Sequence, residues 1–336
     1  MKTQFQLHDH NSFGFYAVAK YFAEINSEEE LVTLIKSDIF KTNKHLILSG
    51  GNNILLTHDE FDGVVILMNN KGITISENGD DVVVRAQAGE DWPNFVSHCV
   101  SKGLFGIENL AHIPGKVGAA PVQNIGAYGM ELKDSFLSCE AIHLETGEKR
   151  TFKKENCLFG YRSSIFKNEL KGQYAITSVD FILKKKGELK LGYGNIKAYL
   201  EQNGLAHPDL QQLHDAICAI RDSKLPDVKK IGNAGSFFKN PVIESSQFDE
   251  LLRLYPEAPH YAEPDDRIKV PAGWLIEKAG WKGWRDEHVG VYEKQALVLV
   301  HYGGGTGGDI VDLATKIQKS VKEKFGIDIY PEVNFV

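Results

Sequence analysis

Cysteine is scarce in this chain of 336 residues. Cys99, Cys139, Cys157 and Cys218 form no C-x-x-C pair and no metal-ligand cluster. Their spacing argues against a disulfide framework or a thiolate metal centre and favours reduced, buried thiols. Long hydrophobic runs are missing as well, since the longest, such as Val64 to Met68, fall far short of a membrane span. Met1 to Phe15 contains neither a basic segment nor an apolar core of signal-peptide length, so a cytoplasmic location is expected. Positive charge is in deficit, with 38 Lys and Arg against 45 Asp and Glu, a net charge of −7 and a pI near 6.0. That balance excludes a general nucleic-acid or membrane-surface binder but permits local binding of an anionic small molecule. No G-x-G-x-x-G stands in the βαβ context that a dinucleotide fingerprint needs.

Glycine, by contrast, is concentrated. Between Gly103 and Leu132 lie Gly103, Gly106, Gly115, Gly118, Gly126 and Gly129, among Ala111, Ala119, Ala120, Ala127, Pro114, Pro121, Asn109 and Asn124. Average usage would place roughly two glycines in such a window. From Asn109 to Met130 the one formally charged side chain is Lys116. Glycine admits positive φ and a close approach of backbone to ligand, and successive turns can aim several N–H groups at one anion. The apolar residues Ile107, Leu110, Ile113, Val117, Val122 and Ile125 argue against disorder. An uncharged loop of small residues would line a buried pocket for something large, flat and phosphate-bearing, although a tight structural loop has the same composition.

The length implies two or three domains, and a composition of 42% hydrophobic and 25% charged residues is that of a globular protein. Strand-like runs at His45–Leu48, Val64–Met68 and Val82–Ala88 alternate with helical signals. Ser27 with Glu30 reads as a capping box for a helix over Glu28–Lys36. Asp91 precedes a helix-period face of Trp92, Phe95, Val96, Cys99 and Val100 that Gly103 closes. Further strands are expected near Glu140–Leu144 and Tyr174–Leu183. Pro208 opens a helix with Leu210, Leu213, Ile217 and Ile220 inward, and Pro226 stops it. A helix near Trp274–Lys278, a strand at Ala296–His301, a last helix over Asp309–Phe325 and a strand over Ile327–Val333 complete the reading. The run His301 to Asp309 looks like a phosphate cradle but lacks the Lys and Ser/Thr of a P-loop, so it reads as a flexible connector capped by Asp309.

Four other blocks carry chemistry-bearing residues. Ser49-Gly50-Gly51-Asn52-Asn53 is a second glycine turn that could close on the same pyrophosphate, or be a hairpin turn. Arg162 stands among aromatics and hydroxyls between Phe159 and Lys167, where partial burial favours pairing with a carboxylate or phosphate. Ser236 lies within Gly232 to Pro241, a stretch that combines backbone freedom with a hydroxyl and an aromatic anchor, and a turn role fits it too. Glu332 interrupts the apolar terminal segment, where a solvent-facing carboxylate is the plainer alternative.

The segment Gly106-Ile-Glu-Asn-Leu-Ala-His-Ile-Pro-Gly-Lys-Val-Gly-Ala-Ala-Pro-Val-Gln-Asn-Ile-Gly-Ala-Tyr-Gly-Met-Glu-Leu132 closely resembles the flavin-binding loop of the UDP-N-acetylenolpyruvoylglucosamine reductase (MurB) family. Arg162 in Gly-Tyr-Arg-Ser-Ser-Ile-Phe-Lys, Ser236 in Gly-Asn-Ala-Gly-Ser-Phe-Phe-Lys-Asn-Pro and Glu332 in Pro-Glu-Val match its three catalytic positions. The resemblance runs in order from about Asn11 to the C-terminus. Tyr193 in Leu-Gly-Tyr-Gly-Asn resembles the longer branch of the family, whose extra loop carries a substrate-binding tyrosine. Lys224, Asn240 and Gln295 match positions used around the substrate diphosphate. Ser49 and Asn52 depart from the family's usual Gly and Ser, and the Gly303–Gly308 connector departs from it as well.

The resemblance implies an α+β protein of three domains with an FAD-binding fold of the vanillyl-alcohol-oxidase (PCMH) type, not a Rossmann unit. The implied boundaries are 1–70 with 328–336 for the first FAD-binding subdomain, 71–224 for the second, and 225–327 for the substrate-binding domain. FAD would be held non-covalently by Ser49, Gly50, Gly51, Asn52, Asn53, Ile113, Pro114, Gly115, Val117, Gly118, Ala119, Gln123, Asn124, Gly126, Ala127 and Tyr128, with NADPH as co-substrate and no metal. The implied reaction reduces an enolpyruvyl UDP-sugar to UDP-N-acetylmuramate for peptidoglycan synthesis. In it Arg162 and a protonated or proton-sharing Glu332 stabilise the enolate, and Ser236 protonates the α carbon. A monomer without nucleic-acid or membrane partners is expected. The alternatives are another FAD oxidoreductase or oxidase of this fold and a non-catalytic nucleotide-sugar binder.

Overall fold

A computed structural model describes residues 1–336, with every side chain except that of Asn78. The chain opens with β1 (Lys2–Gln6) and β2 (Val18–Ile25), followed by α1 (Glu28–Ile35) and α2 (Asp38–Thr42). Ser27 caps α1 by accepting from the Glu30 N–H at 3.2 Å, and Glu30 reaches back to the Asn26 N–H at 2.8 Å. The return bond thus lands one residue earlier than in a capping box. Next come β3 (Lys44–Leu48), the two-residue β4 (Ile54–Leu55) and β5 (Glu60–Met68). The sheet order is β1-β2-β5-β3, with β3 and β5 parallel. Residues Val64 to Met68 are all buried, which explains why the strand reads as a continuous apolar run rather than an alternation.

A second, antiparallel sheet has the order β11-β10-β12-β7-β6. Its strands are β6 (Ile73–Asn78), β7 (Asp81–Gln87), β10 (Phe136–His143), β11 (Lys149–Lys153) and β12 (Tyr174–Lys184). Within the chain between β7 and β10 lie α3 (Trp92–Ser101) and the small ladder of β8 (Gly126–Ala127) with β9 (Met130–Glu131). Asp91 caps α3 through the Asn94 N–H at 3.1 Å, and the helix presses Trp92, Phe95, Val96, Cys99 and Val100 into the core over β7 and β12. The helices α4 (Ile196–Gln202) and α5 (Leu210–Lys224) follow, and Leu210, Leu213, Ile217 and Ile220 of α5 join that core.

The remaining elements are β13 (Gly232–Ser236), β14 (Val242–Glu244), α6 (Ser245–Leu254), β15 (Tyr261–Glu263), β16 (Arg267–Lys269) and α7 (Ala272–Lys278). After them come β17 (Val289–Val291), β18 (Val298–His301), α8 (Gly307–Phe325) and β19 (Asn334–Phe335). They form the sheets β13-β18-β17 and β14-β16-β15, and β19 pairs in parallel with β4. The contacts divide the chain into two compact units. The first comprises Met1–Phe5, Ala19–Gly50 and Phe61–Ser223; the second comprises Gln6–Val18, Gly51–Glu60 and Lys224–Val336. Phe13, Phe237, Phe238, Leu275, Leu299 and Ile317 are among the residues of the second unit's own core.

Two expected elements shift. The last helix begins at Gly307 rather than Asp309, because Thr306 is the N-cap and Asp309 the third helical residue whose carboxylate accepts the Thr306 N–H at 2.7 Å. A Cβ on Gly307 would sit 1.8 Å from the Leu56 carbonyl oxygen, so only glycine fits that first turn. The segment Ile327–Val333 is not a strand: Pro331 has no N–H to offer, and regular pairing begins only at Asn334. All four cysteines are free, with Cys99, Cys139 and Cys157 buried and Cys218 half-buried.

Candidate active site

In the first unit the glycine loop is stitched to the end of β7 by backbone bonds. Trp92 N–H donates to the Gly115 carbonyl, Val117 N–H to that of Glu90 and Gly118 N–H to that of Ala88, each at 2.9 Å. A Cβ on Gly118 would lie 2.5 Å from the Ala88 Cβ, so the approach requires glycine. The loop then runs through Ile113, Pro114, Gly115, Val117, Gly118 and Ala119 to a left-handed turn at Asn124, with φ of 45°. The buried Asn124 side chain donates to Gly160 O at 3.0 Å and to Glu131 Oε2 at 3.1 Å, and accepts from the Lys133 N–H at 3.0 Å. It thereby fastens the Gln123 end of the loop to the turn that carries Arg162.

That turn is a tight one. Gly160 and Ser163 exchange backbone bonds at 3.0 and 3.2 Å, which leaves Arg162 at the tip with φ of 53°. Ser164 Oγ donates to the Val122 carbonyl at 2.6 Å. Arg162 Nη1 comes within 3.6 Å of the place a Cβ on Gly126 would occupy, so the guanidinium lies against the loop at Gly126. His112, Asn124, Tyr128 and Arg162 all have positive φ, and non-glycine residues so held concentrate at functional sites. Tyr193 packs its Cβ and ring within 3.1–3.3 Å of a Cβ placed on Gly129, and is itself 41% exposed.

Buried polar atoms of the first unit without a hydrogen-bond partner in the protein include Ser49 Oγ, just past β3 and before Gly50, and Asn109 Oδ1. Asn109 spends its amide nitrogen on the carbonyls of Tyr128 and Lys190, at 3.0 and 2.9 Å. Arg221, absent from the sequence reading, joins this region by donating from Nε to the His112 carbonyl at 3.0 Å. Burial holds its guanidinium below the ordinary value and the charge of Arg162 pushes the same way. An anion would relieve that opposition. The clue to Arg221 in the sequence is its place three residues before Lys224 in Arg-Asp-Ser-Lys. Burial raises the Tyr128 phenol and lowers the Lys116 ammonium, the latter helped by Lys71.

In the second unit Gly51 is left-handed, and a Cβ there would sit 2.0 Å from the His10 carbonyl oxygen, so this turn too is obligatorily glycine. Asn52 follows it, and the Asn53 carbonyl accepts from the Asn334 N–H at 3.1 Å. Ser236 ends β13 and is exposed. Its strand is set by the buried Asn233, whose Oδ1 accepts from the Gly235 N–H at 3.0 Å and whose amide donates to the Ile231 carbonyl at 2.9 Å. Asn233 was also missed, although a buried Asn two residues before a glycine is a turn-setting signal. The chain end lies alongside: Glu332 N–H donates to Phe237 O at 2.7 Å, Lys239 N–H donates to Tyr330 O at 2.9 Å, and Phe238 bridges Pro331. Ser236 and the nearly buried Glu332 are thereby set on adjoining backbone positions. Asn240 Oδ1 accepts from the Ala272 N–H at 2.9 Å, and Gln295 Oε1 lies 3.1 Å from where a Gly273 Cβ would be, so both carboxamides meet the first turn of α7. Lys224 ends α5 and begins this unit.

Residues 19–153 match the family model described as FAD binding domain, and residues 226–336 match that of the UDP-N-acetylenolpyruvoylglucosamine reductase C-terminal domain. The UDP-N-acetylenolpyruvoylglucosamine reductase of Flavobacterium johnsoniae is 48% identical over 338 residues, spanning 100% of this chain and 99% of that one. The chain belongs to the UDP-N-acetylenolpyruvoylglucosamine reductase family. A second relative of that name, from Chromobacterium violaceum, is 44% identical over 98% of this chain and 97% of its own. The crystal structure of the MurB reductase from Thermus caldophilus is 21% identical and superposes with a TM-score of 0.67 over 98% of this chain and 97% of that one, so the fold is shared.

This reductase-family chain is an FAD oxidoreductase with the α+β, vanillyl-alcohol-oxidase type of flavin fold, not a Rossmann unit. The residues present fit the cofactor. The unpartnered Ser49 Oγ and Asn109 Oδ1 can bond to a bound molecule, and glycine at position 118 lets the loop backbone pack directly on Ala88. Among the described residues no group of three or more His, Cys, Asp or Glu is placed to hold a metal ion, and no helix is long and apolar enough to cross a membrane.

Proposed function

We propose that this chain reduces the enolpyruvyl ether of UDP-N-acetylglucosamine to the D-lactyl ether of UDP-N-acetylmuramate, with Arg162, Ser236 and Glu332 as its catalytic residues. The observation that carries the reading is the backbone bond from Glu332 to Phe237, which fixes the last acidic residue of the chain next to Ser236. FAD, when bound, supplies the hydride that it takes from NADPH. The protein's task is the charge and the proton. Hydride arriving at the carbon β to the substrate carboxylate drives negative charge onto that carboxylate, and stabilising such charge is usually the largest catalytic contribution. Arg162, tethered at the tip of its turn, faces that charge with a rigid fork of donors. Glu332 assists by carrying or sharing a proton. Ser236 donates the proton to the α carbon, and an exposed hydroxyl on a strand end can reach a substrate arriving from solvent.

Tyr193, Lys224, Asn240 and Gln295 bind the substrate on this reading. Ser49 to Asn53 and the loop residues from Ile113 to Tyr128 hold the flavin without a covalent link. The division into 1–70 with 328–336, 71–224 and 225–327 belongs to the same proposal, as do a monomeric state, a cytoplasmic location and the lack of nucleic-acid or membrane partners. A turnover assay tests it. NADPH consumption should require the enolpyruvyl UDP-sugar and yield UDP-N-acetylmuramate. Consumption sustained by O₂ alone would favour an oxidase, and a colourless protein that takes up no flavin would favour a sugar-nucleotide binder.

A further inference from the structure

The helices α3 and α5 bring a second set of reactive groups together. Ser97 Oγ on α3 lies 2.9 Å from Nε2 of His214 on α5, and His214 Nδ1 lies 2.8 Å from Asp215 Oδ1. With the carboxylate accepting from Nδ1–H, the lone pair of Nε2 is left to accept from the serine hydroxyl. Hydroxyl, imidazole and carboxylate thus stand in the order that acyl-transfer enzymes use on unrelated folds. A helical serine ordinarily bonds a carbonyl of the preceding turn, as Ser101 does with His98 O at 2.8 Å. Ser97 reaches across to another helix instead. Its side chain is exposed while His214 is 7% exposed, so the base is held and the hydroxyl is open to solvent.

Cys218 is the competing nucleophile, with Sγ 3.9 Å from the same Nε2. Burial, with the charges of Asp215 and Asp222, pushes this thiol up to about 11, so it stays protonated near neutrality. The oxygen is both closer and more exposed.

We propose that Ser97, His214 and Asp215 form an acyl-accepting site at which Ser97 takes an acyl group from small activated esters. The backbone N–H groups around Ser97 are engaged within α3, so acceleration comes from general-base catalysis rather than an oxyanion hole. That restricts the donors to esters with good leaving groups, such as aryl esters. In the step, the Ser97 Oγ–acyl carbon bond forms and the ester's carbon–aryloxide bond breaks. The hydroxyl proton passes to His214 Nε2 and on to the departing aryloxide. Water, deprotonated by the same imidazole, then cleaves the acyl-serine and restores the hydroxyl. No electrons are exchanged. Arg221 lies seven residues further along α5, about 10 Å at the helical rise.

The test uses the flavin-loaded protein and p-nitrophenyl acetate, with nitrophenolate release followed by colour and the acetyl group located by peptide mass spectrometry. Acetyl on Ser97 is expected, and Ser97→Ala should lose it. His214→Gln should slow that labelling on the order of 10²-fold, the lower range for a lost base. Asp215→Asn, at a side chain 63% exposed, should slow it less without threatening the fold. Flavin content and reductase turnover should be unchanged in all three. Acetyl on other residues with Ser97 unmodified overturns the proposal, and so does labelling of Ser97 at an equal rate in Asp215→Asn.

Discussion

Ser236 is the residue where the two halves of the proposed reaction can be pulled apart. Passing hydride from NADPH to the flavin needs no proton at the substrate's α carbon, whereas completing the reduction does. Ser236→Ala should therefore keep its flavin and be bleached by NADPH at near the wild-type rate. Recovery of colour on adding the enolpyruvyl UDP-sugar should slow by at least on the order of 10²-fold. Stopped-flow absorbance reads both phases, and an equal slowing of the two would make Ser236 a turn residue only. Tyr193 should behave in the opposite way. It sits between Gly192 and Gly194, packs on Gly129 and leaves 41% of itself exposed, a placement suited to closing over a ligand. Tyr193→Phe should raise the Michaelis constant for the UDP-sugar several-fold with flavin content unaltered, and unchanged affinity would mark it as a packing tyrosine. These expectations come from motifs, which carry residue type and order. The tethers made by Asn109 and Asn124 and the bond from Arg221 to His112 could not be read there, because they end on carbonyls distant in sequence.

At the scale of elements, what sequence reads best is what is locally determined. The Asp91 cap, the buried face of α3 and the Gly326 stop of α8 each depend on neighbours within a turn or two. The strands β2 and β11 went unseen for the converse reason. In β11 only Phe152 is buried, beside the exposed Lys149, Arg150, Thr151 and Lys153, so pairing with β10 rather than a hydrophobic pattern makes it a strand. The helix start at Gly307 depends on the Leu56 carbonyl, about 250 residues away in the chain, which no local pattern encodes. The glycine loop lies between these cases: its composition announces a ligand, but its path follows from the bonds to Ala88, Glu90 and Trp92. Gly118→Ala tests that path. The new methyl would meet Ala88 Cβ at 2.5 Å, and forcing such a contact typically costs about 1–3 kcal/mol. Purified Gly118→Ala should carry less flavin and unfold at lower denaturant. Gly192→Ala, where a Cβ meets nothing within 4 Å, should match the wild type in flavin content. Equal flavin in both variants would show that the loop's close approach is not what holds the cofactor.

For the molecule as a whole, a net charge of −7 near neutrality leaves its response to acid to the groups whose protonation differs between folded and unfolded states. His301 is the clearest of these in the second unit. It is 8% exposed, its Nδ1 lies 2.9 Å from the Phe13 carbonyl, and its Nε2 accepts from the Gly305 N–H at 3.3 Å. That pattern fixes the neutral ring, since a second proton would occupy the nitrogen that the Gly305 N–H needs. Burial is the main force lowering its affinity for a proton; His288 and His8 add to it, while the Phe13 bond and Asp309 oppose it. A native value below the ordinary 6.5 means that the unfolded chain binds the proton first as pH falls. The stability contributed by neutral His301 is thus complete above pH 6.5 and is lost as pH descends through the lowered native value. Urea midpoints measured at about pH 7.5 and about pH 5.5 should show the wild type weaker at the lower pH. In His301→Asn the overall stability should fall, because the Phe13 and Gly305 bonds are disturbed, yet its further loss between the two pH values should be smaller. The difference in pH slope isolates this ring from the other eleven of the chain's 12 histidines. An identical slope in the two proteins would mean that His301 takes up its proton equally well folded and unfolded, and that the bond from Gly305 does not hold it neutral.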